Sequence, residues 1–177
     1  MLNRTAAGGL LTLNLKTLMW ASILSVSRFL LGIAVFYEIL HRKWFESSIL
    51  IGLGAVTDFL DGWIARNFNQ KTDIGAHLDH IGDKFFVLLS LVAFYITGKV
   101  ELLPLLLLAV REISITLLRF YGLASSVSFF GKVKTTVEFS ALIVLPYQSE
   151  IGNLLLWVSI FLAYLSALLY IKKPVAG

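Results

Sequence analysis

Six apolar segments follow one another along the chain and leave little sequence between them. They lie at 18–40, 48–66, 79–97, 102–121, 135–147 and 153–171. A transmembrane helix takes roughly 20 mostly apolar residues. The 177 residues therefore have room for six such helices and for no separate soluble domain. The sequence predicts an all-α polytopic membrane protein, a six-transmembrane-helix bundle that forms one domain over 1–177, with a short N-terminal interfacial segment at 1–16.

The distribution of charge predicts the orientation and excludes several classes of protein. In a six-span arrangement nine basic residues of the loops and ends fall on one side and three, Arg42, Lys43 and Lys99, on the other. Because Lys-rich and Arg-rich loops stay in the cytoplasm, we expect both termini there, in a bacterial inner membrane. The net charge of +4 suits anionic lipids, whereas no soluble basic face is available for nucleic acid. The absence of Cys excludes disulfides and thiolate metal sites.

Four aspartates stand in the second and third apolar segments, where charge is costly. Asp58 and Asp61 are three residues apart, and Asp79 and Asp83 are four apart, so each pair lies on one helical face. The loop between the two segments is short, which makes the two helices antiparallel neighbours. An intramembrane aspartate costs about 2.5–3.5 kcal/mol, and like charges packed together cost more. We therefore expect the four carboxylates to meet at the cytoplasmic side around compensating cations.

Divalent cations are the compensation that this cluster favours. Lys84 and Arg66 supply two positive charges, which cannot saturate the oxygens of four carboxylates. Hard divalent ions take oxygen ligands, and pairs of such ions recur at sites of displacement at phosphorus. Gly62, Ala65 and Gly75 are small, so that a ligand can approach closely. The alternatives are a pathway for protons or cations and a structural network of ion pairs.

The complete pattern resembles a known family signature. It reads Asp58-x2-Asp61-Gly62-x2-Ala65-Arg66-x8-Gly75-x3-Asp79-x3-Asp83 and matches the CDP-alcohol phosphotransferases at eight fixed positions over 26 residues. The resemblance implies a six-helix membrane enzyme, a homodimer, that needs Mg²⁺ or Mn²⁺, with two ions expected. Such an enzyme moves a phosphatidyl group from CDP-diacylglycerol to an alcohol and releases CMP.

The resemblance also implies roles for individual residues. The metal ligands would be Asp58, Asp61, Asp79 and Asp83. The catalytic general base on the acceptor hydroxyl would be Asp83. The CDP moiety would be bound by Asp58, Asp61, Gly62, Ala65, Arg66 and Gly75, with Arg66 near the diphosphate. In the first segment, Ser25-Val26-Ser27-Arg28 is similar to the family's Thr-x-x-Arg stretch and keeps its Arg.

Basic residues at the same end of the bundle indicate an acceptor that carries a phosphate. Arg111 lies inside the fourth segment, where its charge needs Glu112 or a bound anion as a partner. This stretch, with the run 131–136, resembles the phosphatidylglycerophosphate synthase branch of the family. That resemblance implies that the phosphate of glycerol 3-phosphate is bound by Arg111, Arg119, Lys132 and Lys134. The plain explanation of the lysine pair is positive-inside placement. Inositol phosphate, phosphatidylglycerol and serine are the alternative acceptors, and a small cation or proton transporter is the alternative class.

Overall fold

All the regular structure is helical in the residues that the computed structural model describes, which are 26–67, 73–121 and 129–171. Helix α1 covers 26–40 of the described residues. It is followed by α2 (Trp44–Asn67), α3 (Asp73–Ile96), α4 (Leu102–Phe120), α5 (Phe129–Val144) and α6 (Ser149–Ile171). The prediction of an all-α chain is confirmed, and each predicted apolar segment corresponds to one helix. The predicted interfacial segment at 1–16 lies outside the described residues.

Four helices begin earlier than the apolar segments that predicted them. Helices α2 and α6 begin four residues earlier, at Trp44 and Ser149, and α3 and α5 begin six residues earlier, at Asp73 and Phe129. The added turns of α3 and α5 mix apolar residues with polar ones such as His77 and Lys134, which end an apolar run without ending a helix. With a rise of 1.5 Å per residue, Asp79 lies about 9 Å along α3 from its first residue. Asp61 lies about as far before the last residue of α2. The aspartates therefore belong to helices and not to the loop between them.

One helix meets both the length and the composition of a membrane span. In the described part of the chain this is Ser149–Leu168, with 20 residues, and Lys84–Ile96 is a shorter apolar stretch. The other helices contain more charged residues, with Arg111 and Glu112 at the centre of α4, and α5 has only 16 residues. The predicted six spans are thus matched by six helices, of which α6 alone passes this test among the described residues.

The helices enclose one apolar core. Helix α5 packs most extensively on α6 and also contacts α2 and α3, while α4 contacts α3 and α6. Every described helix contributes fully buried side chains, among them Val35, Ile51, Leu91, Leu108, Leu142 and Leu156. The polar and charged residues described below are held within this framework.

Helices α1 and α2 both approach α3 closely at Phe86. A Cβ atom built on Gly32 would lie 3.4 Å from Phe86 Cα, and one built on Gly54 would lie 2.7 Å from Phe86 Cζ. The absence of a side chain at these two positions therefore lets the helices meet. This contact brings Arg28 of α1 and Asp58 of α2 to the same level as Phe86.

Candidate active site

The signature residues occupy one stretch of α2 and one stretch of α3. Helix α2 carries Asp58, Asp61, Gly62, Ala65 and Arg66, and α3 carries Gly75, Asp79 and Asp83. Because both stretches are continuous helix, the members of each aspartate pair share a helical face, as predicted. Asp58 is the one signature residue whose side chain is described, and the side chains of the others lie outside the described residues.

Asp58 is half-buried and faces Arg28. Arg28 Nη2 lies 3.6 Å from Asp58 Oδ1, and Arg28 is 3% exposed. The two residues line a small cavity with Gly54, Phe86 and Phe139. The distance is longer than a hydrogen bond, so the pair is held by charge and the Asp58 oxygens keep lone pairs for a further partner. A carboxylate in this setting fits the donor chemistry of Mg²⁺ or Mn²⁺.

The predicted set of four metal ligands stays a prediction. No group of three or more His, Cys, Asp or Glu side chains that would hold a metal is found in the part of the chain that the structure describes. Asp58 belongs to that part, whereas the carboxylates of Asp61, Asp79 and Asp83 do not. The helical register of both pairs and the setting of Asp58 are the structural observations that bear on the metal site.

A second charged group is buried between α3, α4 and α5, and we call it the Glu112 cluster: Lys84, Arg111, Glu112, Lys134 and Glu138. Glu112 Oε1 accepts hydrogen bonds from Arg111 Nη1 at 2.6 Å and from Lys134 Nζ at 2.8 Å. Lys84 Nζ lies 3.0 Å from Glu112 Oε2. Lys134 Nζ also lies 2.5 Å from Glu138 Oε2, one turn further along α5. Three cations thus share two carboxylates that are both largely buried.

Further hydrogen bonds anchor the cations of this cluster. Arg111 donates from Nε to the Ala163 carbonyl at 3.3 Å and from Nη2 to Ser166 Oγ at 2.8 Å, which ties α4 to α6. Lys84 donates to the Glu112 carbonyl at 3.0 Å and to Thr116 Oγ1 at 2.6 Å. The Glu112 cluster therefore links the last four helices of the bundle.

The structure brings together two of the four residues predicted to bind the acceptor phosphate. Arg111 and Lys134 meet at one carboxylate oxygen of Glu112. Lys132 is exposed, because residues two apart on a helix point to nearly opposite sides. Arg119 lies on α4 two turns beyond Arg111, and its side chain is outside the described residues. Binding of the acceptor phosphate by these residues stays a prediction.

The sequence analysis left three features of this cluster undetected. Glu138 is 2% exposed and pairs with Lys134, a contact that their spacing of four residues on one helix makes possible. Lys84, considered above only as a compensating charge for the aspartates, also binds Glu112. The hydrogen bond from Arg111 to Ser166 joins residues that are 55 positions apart in the sequence, and no local sequence pattern predicts it.

Comparison with known proteins settles the family. The sequence model described as CDP-alcohol phosphatidyltransferase matches residues 18–165, which include all eight signature positions and the whole Glu112 cluster. The chain belongs to the CDP-alcohol phosphatidyltransferase family. It is accordingly a transferase of phospholipid biosynthesis from a family of membrane enzymes, and the resemblance inferred from the signature is confirmed.

Several curated relatives of this CDP-alcohol phosphatidyltransferase align over most of their length. One from Wigglesworthia glossinidia brevipalpis is 36% identical over 156 residues, which cover 78% of this chain and 83% of the relative. One from Sodalis glossinidius is 35% identical over 179 residues, covering 90% and 93%. One from Escherichia coli K12 is 34% identical over 158 residues, covering 79% and 84%. All three are named CDP-diacylglycerol–glycerol-3-phosphate 3-phosphatidyltransferase.

Proposed function

We propose that this enzyme transfers the phosphatidyl group of CDP-diacylglycerol to glycerol 3-phosphate and so produces phosphatidylglycerophosphate and CMP. The names of the relatives, at 34–36% identity, support both substrates. The observation that carries the choice of acceptor is the convergence of Arg111 and Lys134 on one oxygen position, 2.6 Å and 2.8 Å away. Two cationic donors at such distances suit a phosphate oxygen. Serine, which has no phosphate, would not need them.

In this proposal CDP-diacylglycerol binds at the faces of α2 and α3 that carry the signature residues. Asp58, Asp61, Asp79 and Asp83 would hold Mg²⁺ or Mn²⁺, and two ions are expected from four carboxylates. The half-buried Asp58 beside a cavity supports this assignment. When bound, the ions would neutralise charge on the diphosphate and on the leaving CMP. The cytidine diphosphate would lie along Gly62, Ala65 and Gly75, and Arg66 would contact the diphosphate.

The proposed reaction is a displacement at the phosphorus that carries diacylglycerol. The acceptor hydroxyl oxygen forms the new bond to that phosphorus, and the bond from the phosphorus to the bridging diphosphate oxygen breaks. CMP leaves with the electron pair of that bond, and Asp83 takes the hydroxyl proton as general base. Lys84 follows Asp83 directly on α3 and binds Glu112, so one helix links the proposed base to the proposed phosphate site.

The membrane arrangement of the proposal is six spans with both termini and the active site on the cytoplasmic side. The excess of basic residues on that side supports the orientation. The outward faces of the helices support burial in lipid, since large apolar side chains such as Phe59, Leu117 and Phe161 are 66%, 52% and 67% exposed. Soluble proteins rarely expose a continuous apolar surface. A homodimer and a single domain over 1–177 complete the proposal.

CMP release tests the proposed function. Purified enzyme in detergent with Mg²⁺ or Mn²⁺ receives CDP-diacylglycerol and one acceptor, with no acceptor as the control. We expect release with glycerol 3-phosphate and little with serine, inositol phosphate or phosphatidylglycerol. Release that depends on one of the other acceptors would overturn the choice of acceptor and leave the donor site in place.

A further inference from the structure

One carboxylate oxygen of Glu112, Oε1, lies between two cationic hydrogen-bond donors. Arg111 Nη1 and Lys134 Nζ both point at Oε1, at 2.6 Å and 2.8 Å, whereas Lys84 Nζ lies 3.0 Å from Oε2. Glu112 is 5% exposed, so its carboxylate is shielded from most of the solvent. The Oε1 position is therefore a site for a negatively charged oxygen, and the chain's own carboxylate occupies it.

The donors around this position do not depend on Oε1 for their placement. Arg111 has two further hydrogen bonds to atoms of α6. Lys134 keeps Glu138 Oε2 at 2.5 Å. Lys84 keeps Thr116 Oγ1 at 2.6 Å. Another anion that replaced Oε1 would thus find the donors already in place, which lowers the cost of ordering them.

The charges of the Glu112 cluster favour replacement of Glu112 Oε1 by an oxygen of a bound phosphate. Lys84, Arg111 and Lys134 contribute three positive charges, and Glu112 and Glu138 contribute two negative ones. Two of these cations, Arg111 and Lys134, face the Oε1 position directly, and cations at such distances stabilise an anion. A phosphate monoester carries up to two negative charges and several oxygens, so it competes with a single carboxylate for Arg111 and Lys134.

We propose that Glu112 Oε1 holds the place of one phosphate oxygen of the acceptor and is displaced by it when a phosphate monoester binds between Arg111 and Lys134. The inference rests on the proposed function, because it takes these two residues as the acceptor site. Glu112 then determines specificity. It keeps the site filled without an acceptor, and an alcohol without a phosphate cannot displace it. Its contact with Lys84 through Oε2 persists as Oε1 withdraws.

Thermal unfolding of the detergent-solubilised enzyme in increasing inorganic phosphate, without CDP-diacylglycerol, tests this inference. Glu112→Gln keeps the shape of the side chain and removes the competing charge. We expect the variant to have a lower Tm without phosphate and a half-maximal stabilising phosphate concentration about tenfold below that of the wild type. A purely structural role for Glu112 would lower the Tm and leave the response to phosphate unchanged, which would overturn the inference.

Three controls make the result specific. Potassium chloride at equal ionic strength should not reproduce the phosphate effect. Glu38→Gln removes the acidic partner of Lys43, 3.2 Å away at the opposite end of the bundle, and should leave the phosphate response at its wild-type value. Lys134→Gln in the Glu112→Gln background should abolish the gain, and persistence of the gain would place the bound phosphate elsewhere.

The inference can still be tested if Glu112→Gln does not fold in the absence of phosphate. Recovery of that variant only in phosphate buffer would support the inference directly. If it is not recovered in either buffer, Glu112→Asp retains the charge but withdraws it by one methylene, and should also lower the half-maximal phosphate concentration. An unchanged value for Glu112→Asp would contradict the inference. CMP release by the wild type, measured on the same preparation, tests the proposed function separately.

Discussion

Lys132 and Lys134 stand two residues apart on α5, yet the structure predicts very different consequences for the loss of each charge. Lys134 is 5% exposed and lies 2.8 Å from Glu112 and 2.5 Å from Glu138, whereas Lys132 is exposed. Lys134→Gln removes one charge-assisted hydrogen bond to the acceptor phosphate, worth about 1.5–3 kcal/mol. At 1.4 kcal/mol per tenfold, the KM for glycerol 3-phosphate should rise about 10–150-fold.

The same substitution also affects stability. It takes from Glu138 the cation that lies 2.5 Å away, and breaking a buried pair costs about 3–5 kcal/mol in the free energy of unfolding. The assay therefore measures KM for each substrate, because KM does not depend on the fraction of folded enzyme. We expect the KM for CDP-diacylglycerol to change less than threefold in Lys134→Gln, and both KM values to stay within twofold of wild type in Lys132→Gln.

Two results would refute this reasoning. Equal increases in donor and acceptor KM in Lys134→Gln would mean that the lysine supports the whole site and does not bind the acceptor phosphate. An effect of Lys132→Gln on acceptor KM as large as that of Lys134→Gln would show that burial in the Glu112 cluster is not what distinguishes them. Lys134→Arg, which keeps the charge, should recover part of the acceptor affinity.

Other predictions concern the metal site, the base and the packing of helices. Asp83→Asn should lower kcat at least 100-fold while binding of CDP-diacylglycerol, measured by isothermal titration, stays near wild type; near-normal turnover would remove Asp83 from the role of base. Asp58→Asn should raise the Mg²⁺ concentration for half-maximal activity together with the donor KM, and an effect on one alone would count against metal ligation. Gly152→Ala should lower the free energy of unfolding by about 1–3 kcal/mol, because the new Cβ would lie 2.7 Å from Leu145 Cα. Gly52→Ala should raise it by about 0.5–1 kcal/mol, because no atom lies within 4 Å of the new Cβ and Ala favours the helix. Chemical unfolding compares the two, and equal effects would disprove the packing argument.

Local periodicity made the helices and the signature face predictable from the sequence. The spacing of Asp58 from Asp61 and of Asp79 from Asp83 fixes a common face for each pair as soon as the backbone is helical. The starts of α2, α3, α5 and α6 were predicted too late, because a polar residue ends an apolar run but need not end a helix. The late start of α5 also concealed that Lys132 and Lys134 lie on one helix and point in different directions.

The Glu112 cluster was only partly predictable. Glu112 was recognised as one of two possible partners for Arg111, and the structure shows the two residues paired. Its contacts with Lys84 and Lys134 join residues 28 and 22 positions away, and they depend on how α3, α4 and α5 rotate against one another. Such rotations result from packing of the whole core, which no single segment encodes.

The ion pairs within single helices bear on how this chain enters a membrane during synthesis. Arg111 pairs with its neighbour Glu112 on α4, and Lys134 pairs with Glu138 one turn along α5. An unpaired charge at the centre of an inserting helix costs about 2.5–3.5 kcal/mol. A helix that brings its own counter-charge lowers this cost before any other helix has arrived. The contacts between helices, such as that of Glu112 with Lys134, then form in the bilayer, where the same charges select the correct neighbours.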